Sequence, residues 1–421
     1  MILVAVVVSF ILLALSMPIF LVFGVGSAGV ALFQLHLPWS TLIQVSFGTL
    51  TKQVLLAIPL FIFAGTIMLK GGAARRLVDF SIALVGHLPG GLGIAMVVTM
   101  GFFGSFCGSI LAAISAVGTV LMPKMIERGY PKPFVVVLAA AAALLESLIP
   151  PSNAAIIYSS ITEVPISKTF AAGIIPGLVL VGLLTIYVMW VCRGMERPPR
   201  AALAVVGRTF IASFPALLTP VIIMGGIYGG YLTPTETAAA AALWGILIGV
   251  LIYRELTFAG LLDALRQTAE TTTVIFAIIA MATFMSVILT YTRGPQALID
   301  WVIHFKVGAL SFMLLAGIAV LILGTFLEVV PIAYLTLPVF IPICLALKVD
   351  LLQFYVFLTG LIGLGLLTPP VCVGVYVSAA VIGEPPARVF GAVPGFVFVG
   401  IVYAVIMVMF PALATWLPAR L

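Results

Sequence analysis

Gly101–Ala113 reads GFFGSFCGSILAA. It lies inside apolar sequence, yet its first nine residues hold three glycines, two serines and a cysteine. Glycine weakens helices and small hydroxyls compete for backbone hydrogen bonds, so the stretch predicts a break rather than a helix interior. In a bilayer such irregular backbone is tolerated only where protein buries it or water reaches it. A second stretch of this kind, Gly324-Thr325-Phe326-Leu327-Glu328, starts 220 residues after Gly104. Each is followed by an apolar segment interrupted by a proline pair: Ile149-Pro150-Pro151-Ser152, then Thr368-Pro369-Pro370-Val371. The chain reads as two halves, each with one glycine-rich break and one Pro-Pro break.

The surroundings are those of a membrane protein. Of 421 residues, 63% are hydrophobic and 8% charged, and the mean hydropathy is +1.34. A soluble domain carries about 25% charged residues. The apolar runs have the length of helices rather than of alternating barrel strands. The first, from Ile2 to Phe23, lacks a basic leader and a small-residue cleavage site, so it is expected to be a retained span. The net charge of +6 is spread over short loops and speaks to topology, not to nucleic acid. Four scattered cysteines and three histidines form no ligand spacing for a metal cluster.

In chain order the expected elements are as follows. Span 1 leads through a Gly/Pro/Trp connector (24–40) to span 2 (50–69). A basic loop with Lys70, Arg75 and Arg76 comes next, then an interfacial amphipathic helix over 77–88. A re-entrant hairpin has its tip at 104–109; its ends share basic residues such as Lys124 and Arg128, which places both on the cytoplasmic side. The first Pro-Pro helix (133–160) and span 170–192 follow. The second half repeats this after a connecting span (213–230), with spans 235–253 and 271–291, an amphipathic stretch, a hairpin tip at 324–328, the second Pro-Pro helix (352–382) and a last span (390–412). Leu298-Ile299-Asp300-Trp301 aligns with Leu77-Val78-Asp79-Phe80 at an offset of 221, within two residues of those of the tips (220) and the proline pairs (219). The halves are 1–212 and 233–421, with 213–232 between them. One intervening span inverts the second. The fold class is an all-α polytopic membrane protein with inverted repeats, two re-entrant hairpins and two Pro-Pro-broken helices, the architecture of secondary transporters.

The breaks suggest chemistry. Proline removes an N–H and displaces the carbonyl four residues back, here those of Glu146, Ser147, Gly365 and Leu366. Freed carbonyls at membrane depth need partners, and a hard cation is one. Ser105, Ser109 and Thr325 add tip oxygens. Half-helices starting near Ser109 and Ser152 aim positive dipole ends at the same region, which favours an anion. Intramembrane carboxylates are costly, so Glu146 and Glu328 are functional candidates. Thr233-Pro234-Thr235-Glu236 reads instead as a structural capping box. Trp39, Trp190, Tyr253 and Trp301 are expected to be interface anchors. The first cation set is Ser105, Ser109, Glu146, Ile149 and Pro150; the second is Gly324, Thr325, Glu328, Gly365 and Thr368. The substrate set is Cys107, Gly108, Ser152, Asn153 and Pro370.

Seven segments carry a resemblance: Ile58–Gly65 (IPLFIFAG), Leu77–Gly91 (LVDFSIALVGHLPGG), Leu148–Ser152 (LIPPS), Gly173–Gly177 (GIIPG), Thr233–Ala239 (TPTETAA), Leu323–Glu328 (LGTFLE) and Gly365–Val371 (GLLTPPV). Together they resemble the large membrane subunit, DctM-like, of tripartite ATP-independent periplasmic (TRAP) transporters. The resemblance implies a sodium-coupled elevator that imports an organic acid across a bacterial inner membrane. It implies a small four-span membrane subunit and a periplasmic substrate-binding protein as partners. Family sodium sites map onto Ser109, Glu146 and Pro150, and onto Gly324, Gly365 and Thr368. Na+ is then the coupling ion, with no other cofactor. This chain departs from the family at Cys107-Gly108-Ser109-Ile110, where S-G-S-S is usual, at Glu146, where a small residue is usual, and at Glu328, where Asp is usual. The Glu146 carboxylate either replaces the lost hydroxyl ligands or couples protons. A standalone carboxylate transporter is the alternative function. An enzyme is disfavoured, because no G-x-S-x-G nucleophile, H-E-x-x-H motif or facing aspartate pair occurs.

Overall fold

The computed structural model describes Val8, Ile11, Leu12, Leu15, residues 17–195 and residues 197–421, and for 105–107 the backbone only. Most of the expected span 1 lies outside the described residues. The first described helix, α1 (Ile19–Phe33), runs well into the expected connector. Its glycines do not end it: a Cβ on Gly24 would lie 2.9 Å from Met281 Sδ, so glycine here serves close packing. Next come α2 (Trp39–Leu50), a 3-10 turn (Gln53–Leu56) and α3 (Ala57–Lys70). The amphipathic helix α4 is Ala73–Val85, starting four residues before the expected 77.

The first hairpin is α5 (Gly91–Cys107) and α6 (Ile110–Glu127). The first broken helix is α7 (Lys132–Ala143), α8 (Leu145–Leu148) and α9 (Asn153–Thr162), bent by 43° at the prolines. It is followed by α10 (Ile166–Val191) and α11 (Leu203–Tyr228), the latter starting ten residues before the expected connecting span. In the second half, α12 (Pro234–Leu247) ends in a π turn (Ile248–Ile252), and α13 is one 34-residue helix, Phe258–Tyr291, that begins long before the expected 271. Then follow α14 (Gly294–His304), the hairpin α15 (Ala309–Gly324) and α16 (Val329–Ala346), the second broken helix α17 (Leu351–Gly365) and α18 (Val373–Val381), α19 (Val393–Met409) and the short α20 (Ala412–Thr415). Both Pro-Pro bonds are cis. Among the described residues eight helices are long and apolar enough to cross a bilayer, or nine if the bent pair counts as one span.

Local chemistry starts several of these helices. Thr233 and Glu236 form the capping box read from sequence, with the Thr233 hydroxyl accepting the Glu236 N–H at 3.3 Å. Asp350 caps α17 by accepting the Leu352 and Gln353 N–H groups at 2.8 and 3.1 Å. A side-chain cap supplies an acceptor that the first turn otherwise lacks.

The helices sort into two bundles. In one, α13 packs along α1, α2 and α3, and α12 along α3 and α11. In the other, both hairpins and both broken helices pack together with α10 and α19. The amphipathic helices join them: α4 touches α11 on one side and α5 and α6 on the other, while α14 lies against α13 and α16. Lys52 crosses between the bundles, donating to the Ser160 carbonyl at 3.0 Å. That bond edges a cleft of about 400 Å³ lined also by Gln53, Ser159 and Glu163.

Tyr253 corrects the expectation of an interface anchor. It is buried, donates its hydroxyl to the Ala212 carbonyl at 2.9 Å, and lies 3.8 Å beneath the Arg76 guanidinium. Arg76 also donates to Glu255 at 2.8 Å and to the Gly72 carbonyl at 2.9 Å. This clasp ties α4 to the loop before α13. Both charged groups keep partial solvent contact, so Arg76→Ala is expected to cost about 1–2 kcal/mol. Thermal unfolding in detergent at low and high salt checks this; the deficit should shrink as salt rises.

Candidate functional site

The first tip is narrower than the sequence suggests. The helix α5 continues through Gly101 and Gly104 to Cys107, and only Gly108 and Ser109 are non-helical. Gly104 is there for contact rather than for a turn. A Cβ on it would come 2.8 Å from Glu146 Cα and 3.1 Å from Glu146 N, so the hairpin leans directly on the broken helix. Gly108 is the residue that needs left-handed backbone, with φ +64°. Ser109 begins α6, its hydroxyl accepting the Ala112 N–H at 3.4 Å. The tip is then pinned: Asn153 Nδ2, at the start of α9, donates to the Gly108 carbonyl.

The second half repeats this contact with other chemistry. Gly324 and Gly365 stand where Gly104 and Glu146 stand, and a Cβ on Gly365 would come 2.5 Å from Gly324 Cα. Cys372, 219 residues after Asn153, ties the tip through its backbone, its N–H donating to the Thr325 carbonyl at 3.2 Å. Cys372 itself has left-handed backbone, with φ +42°.

Three of the four carbonyls expected to be free already have partners. The Ser147 carbonyl accepts from Ser152 Oγ at 2.9 Å and from the Tyr355 hydroxyl at 3.1 Å. The Leu366 carbonyl accepts the Gly374 N–H at 3.2 Å. The Gly365 carbonyl accepts the Thr368 N–H at 2.9 Å, which leaves it one lone pair. Burial forces this, because an orphan carbonyl inside protein costs a hydrogen bond. Thr325 and Thr368 donate their hydroxyl protons to Ile322 and Leu364 at 2.8 and 2.9 Å. A hydroxyl committed in this way presents only lone pairs, which suits a cation.

The two breaks differ in exposure. Glu146, Pro150, Ser152 and Asn153 are buried and Ile149 is half-buried, whereas Pro369, Pro370 and Val371 are exposed. Glu146 is 4% exposed and Asn153 7%. Glu146 Oε1 and Asn153 Oδ1 have no hydrogen-bond partner among the described residues. Glu328 is exposed at the second tip, as the first residue before α16. Behind it, α16 packs on α9 of the first broken helix, so elements from opposite halves of the chain meet in one region. The side chains of Ser105 and Cys107 lie outside the described residues. Tyr355 was invisible to sequence reasoning: a tyrosine inside an apolar helix carries no pattern that marks its hydroxyl as the partner of a carbonyl 208 residues away.

Each tip is docked on a broken apolar helix, and the chain's relatives are named as transporter subunits. A model of the DctM component of tripartite ATP-independent periplasmic transporters matches residues 3–413. The C4-dicarboxylate TRAP transporter large permease of Pseudomonas aeruginosa is 35% identical over 378 residues, 88% of each chain. The ectoine/5-hydroxyectoine large permease of Ruegeria pomeroyi is 31% identical, covering 90% of this chain and 89% of that one. The sialic acid large permease of Vibrio cholerae is 33% identical, covering 89% and 88%. The fold is similar to that of the YdaH transporter of Alcanivorax borkumensis, with a TM-score of 0.60 at 15% identity over 89% of this chain and 88% of that one. The relatives are transporter subunits and not enzymes. From the match along nearly its whole length, this chain belongs to the DctM component family of tripartite ATP-independent periplasmic transporters.

Proposed function

We propose that this chain is the large subunit of a three-part importer that brings an organic acid across a bacterial inner membrane on a sodium gradient. The observation that carries the reading is the pair of pinned tips: Asn153 on the Gly108 carbonyl and the Cys372 N–H on the Thr325 carbonyl, at matching places in the two halves. Inverted halves, 1–212 and 233–421 around the connecting span 213–232, would bring both tips to the midplane, where such transporters bind substrate and ion. Na+ fits the oxygens there: the Thr325 and Thr368 lone pairs and the second lone pair of the Gly365 carbonyl at one tip, and buried Glu146 Oε1 at the other. When bound, the ion supplies positive charge beside the substrate's acid group. Gly108, Ser152 and Pro370, with Cys107, are the substrate side of the proposal.

The relatives' names support an acid: C4-dicarboxylate, isethionate, ectoine and sialic acid each carry a carboxylate or a sulfonate. They also support partners. This chain covers 59% of the isethionate permease DctMQ of Oleidesulfovibrio alaskensis, whose remaining length has room for a small membrane subunit fused to it. A periplasmic binding protein completes the system. Movement of the hairpin bundle against the other, elevator fashion, would break the Lys52–Ser160 bond.

Uptake of labelled carboxylates and sulfonates into proteoliposomes holding both membrane subunits tests this. Uptake is expected to need an inward Na+ gradient and a periplasmic substrate-binding protein. Uptake at full rate without a binding protein would move the chain to the standalone class. Uptake driven by a proton gradient alone would remove sodium from the reading.

A further inference from the structure

On one face of the molecule the two bundles are joined by side chains that donate to main chain. Lys52, just before α3, donates to the Ser160 carbonyl at 3.0 Å, and Tyr228, at the end of α11, donates its hydroxyl to the Ser167 carbonyl at 3.0 Å. Both donors belong to the bundle that holds α3, α11 and α12, and both acceptors to the hairpin bundle. The acceptors bracket the short loop between α9 and α10, where Glu163 takes left-handed backbone at φ +60°. Ser160 lies in the last turn of α9, whose carbonyls lack partners inside the helix and form the negative end of its dipole. An ammonium is favoured there on both counts. Lys52 and Tyr228 stand at the ends of α3 and α11 away from Lys70 and Arg208, so the positive-inside rule puts both bonds on the outer face.

Each side of this junction is fixed to its own bundle. The Tyr158 hydroxyl donates to the Leu351 carbonyl at 2.6 Å and Ser160 Oγ pairs with the Tyr334 hydroxyl at 3.2 Å, so α9 travels with the hairpins. Thr235 donates to the Gln53 carbonyl at 3.1 Å and holds the Lys52 segment to α12. Between the two sides lies the cleft of about 400 Å³, with Lys52, Gln53, Glu163 and Pro165 exposed around it. Apolar packing does not seal this face, and an interface held by a few polar contacts is one along which bodies part.

We propose that Lys52 and Tyr228 form an outer latch that holds the two bundles together in the state seen here and opens when the hairpin bundle moves. The proposal rests on the moving-bundle reading above and adds its regulation: the latch sets how much of the time the tips face outward. The helix that carries the Ser160 end of the latch, α9, begins at Asn153, which pins the first tip. A state loses population with each contact that it alone makes, so losing either bond favours the unlatched state.

Pulsed electron spin resonance reads the latch without substrate. Spin labels are carried by Lys168→Cys and Tyr231→Cys, in a chain whose four native cysteines are replaced by alanine. Both positions are exposed, and they lie on either side of the Tyr228–Ser167 bond, one on each bundle. With the latch intact, one short distance is expected to dominate. Lys52→Met and Tyr228→Phe should each raise a longer distance about fivefold, the weight of one lost hydrogen bond. Thr235→Val is the control, because it removes a similar bond that lies within one bundle, and it should leave the distances alone. Uptake by chains that keep their native cysteines is the second measurement. There Lys52→Met and Tyr228→Phe should lower KM and kcat together, since an outward-facing state captures substrate more readily and turns inward less readily. Distances that neither variant moves, or that Thr235→Val moves as far, overturn the latch. So do unchanged KM and kcat in both variants. The importer reading is judged separately, by the Na+ and binding-protein dependence of wild-type uptake.

Discussion

Replacing Gly365 with alanine is expected to reduce uptake to background. The added Cβ would stand 2.5 Å from Gly324 Cα, 2.6 Å from Gly324 C and 2.9 Å from the Leu321 carbonyl oxygen. All three are backbone atoms, so no side chain can swing aside, and the hairpin has to part from the broken helix. Overpacking a tight contact costs about 1–3 kcal/mol, and more when the obstacle is backbone. The separation would also pull on the Thr325 carbonyl held by the Cys372 N–H. Gly324→Ala should act in the same direction, since its Cβ would meet Ile362 O at 2.9 Å. The controls are Gly182→Ala and Gly225→Ala, which point into open space on α10 and α11. There, alanine should leave uptake intact and raise helix stability by about 0.5–1 kcal/mol. Uptake with each variant, beside its thermal unfolding curve, makes the comparison. Wild-type transport by Gly365→Ala would mean that close approach of the two backbones is not what shapes the second tip.

Asn153→Leu is the second large effect, with uptake falling at least tenfold. Leucine has nearly the same shape, so the packing around 153 survives. What is lost is the amide donor on the Gly108 carbonyl, which is then buried without a partner. That costs about 1–3 kcal/mol, enough for a factor of ten or more if the tip must close for transport. The loss is local, and the chain should still fold and insert. Intact thermal unfolding together with lost uptake is the expected pair of results. A variant that transported normally would show that the first tip keeps its shape without this anchor.

These residues show what kind of information each level carries. The proline pairs and the matching offsets between Gly104 and Gly324, and between Pro150 and Pro369, were legible because a repeated pattern survives in one dimension. Where the first break falls was not. Glycine reads the same whether it supplies a left-handed turn, as at Gly108, or room for a neighbouring backbone, as at Gly104. Only a neighbour distant in sequence tells the two apart. Gly24 in α1 and Tyr253 under Arg76 were misread for the same reason.

The sequence alone determined that this is a multi-pass helical membrane protein with a proline pair in each of two apolar segments, because hydropathy and helix-breaking residues act locally and the bilayer enforces them. The tertiary structure decided which oxygens remain for a ligand. Proline displaces a carbonyl by local geometry, but whether that carbonyl stays free depends on what packs beside it. Ser152 and Tyr355 take the one at Ser147, and Gly374 takes the one at Leu366. Glu146 and Asn153 keep acceptor oxygens that nothing in the described protein satisfies. Hydrogen-bond satisfaction is a property of the packed whole, so the breaks could be located in the sequence and their donors and acceptors counted only in the fold.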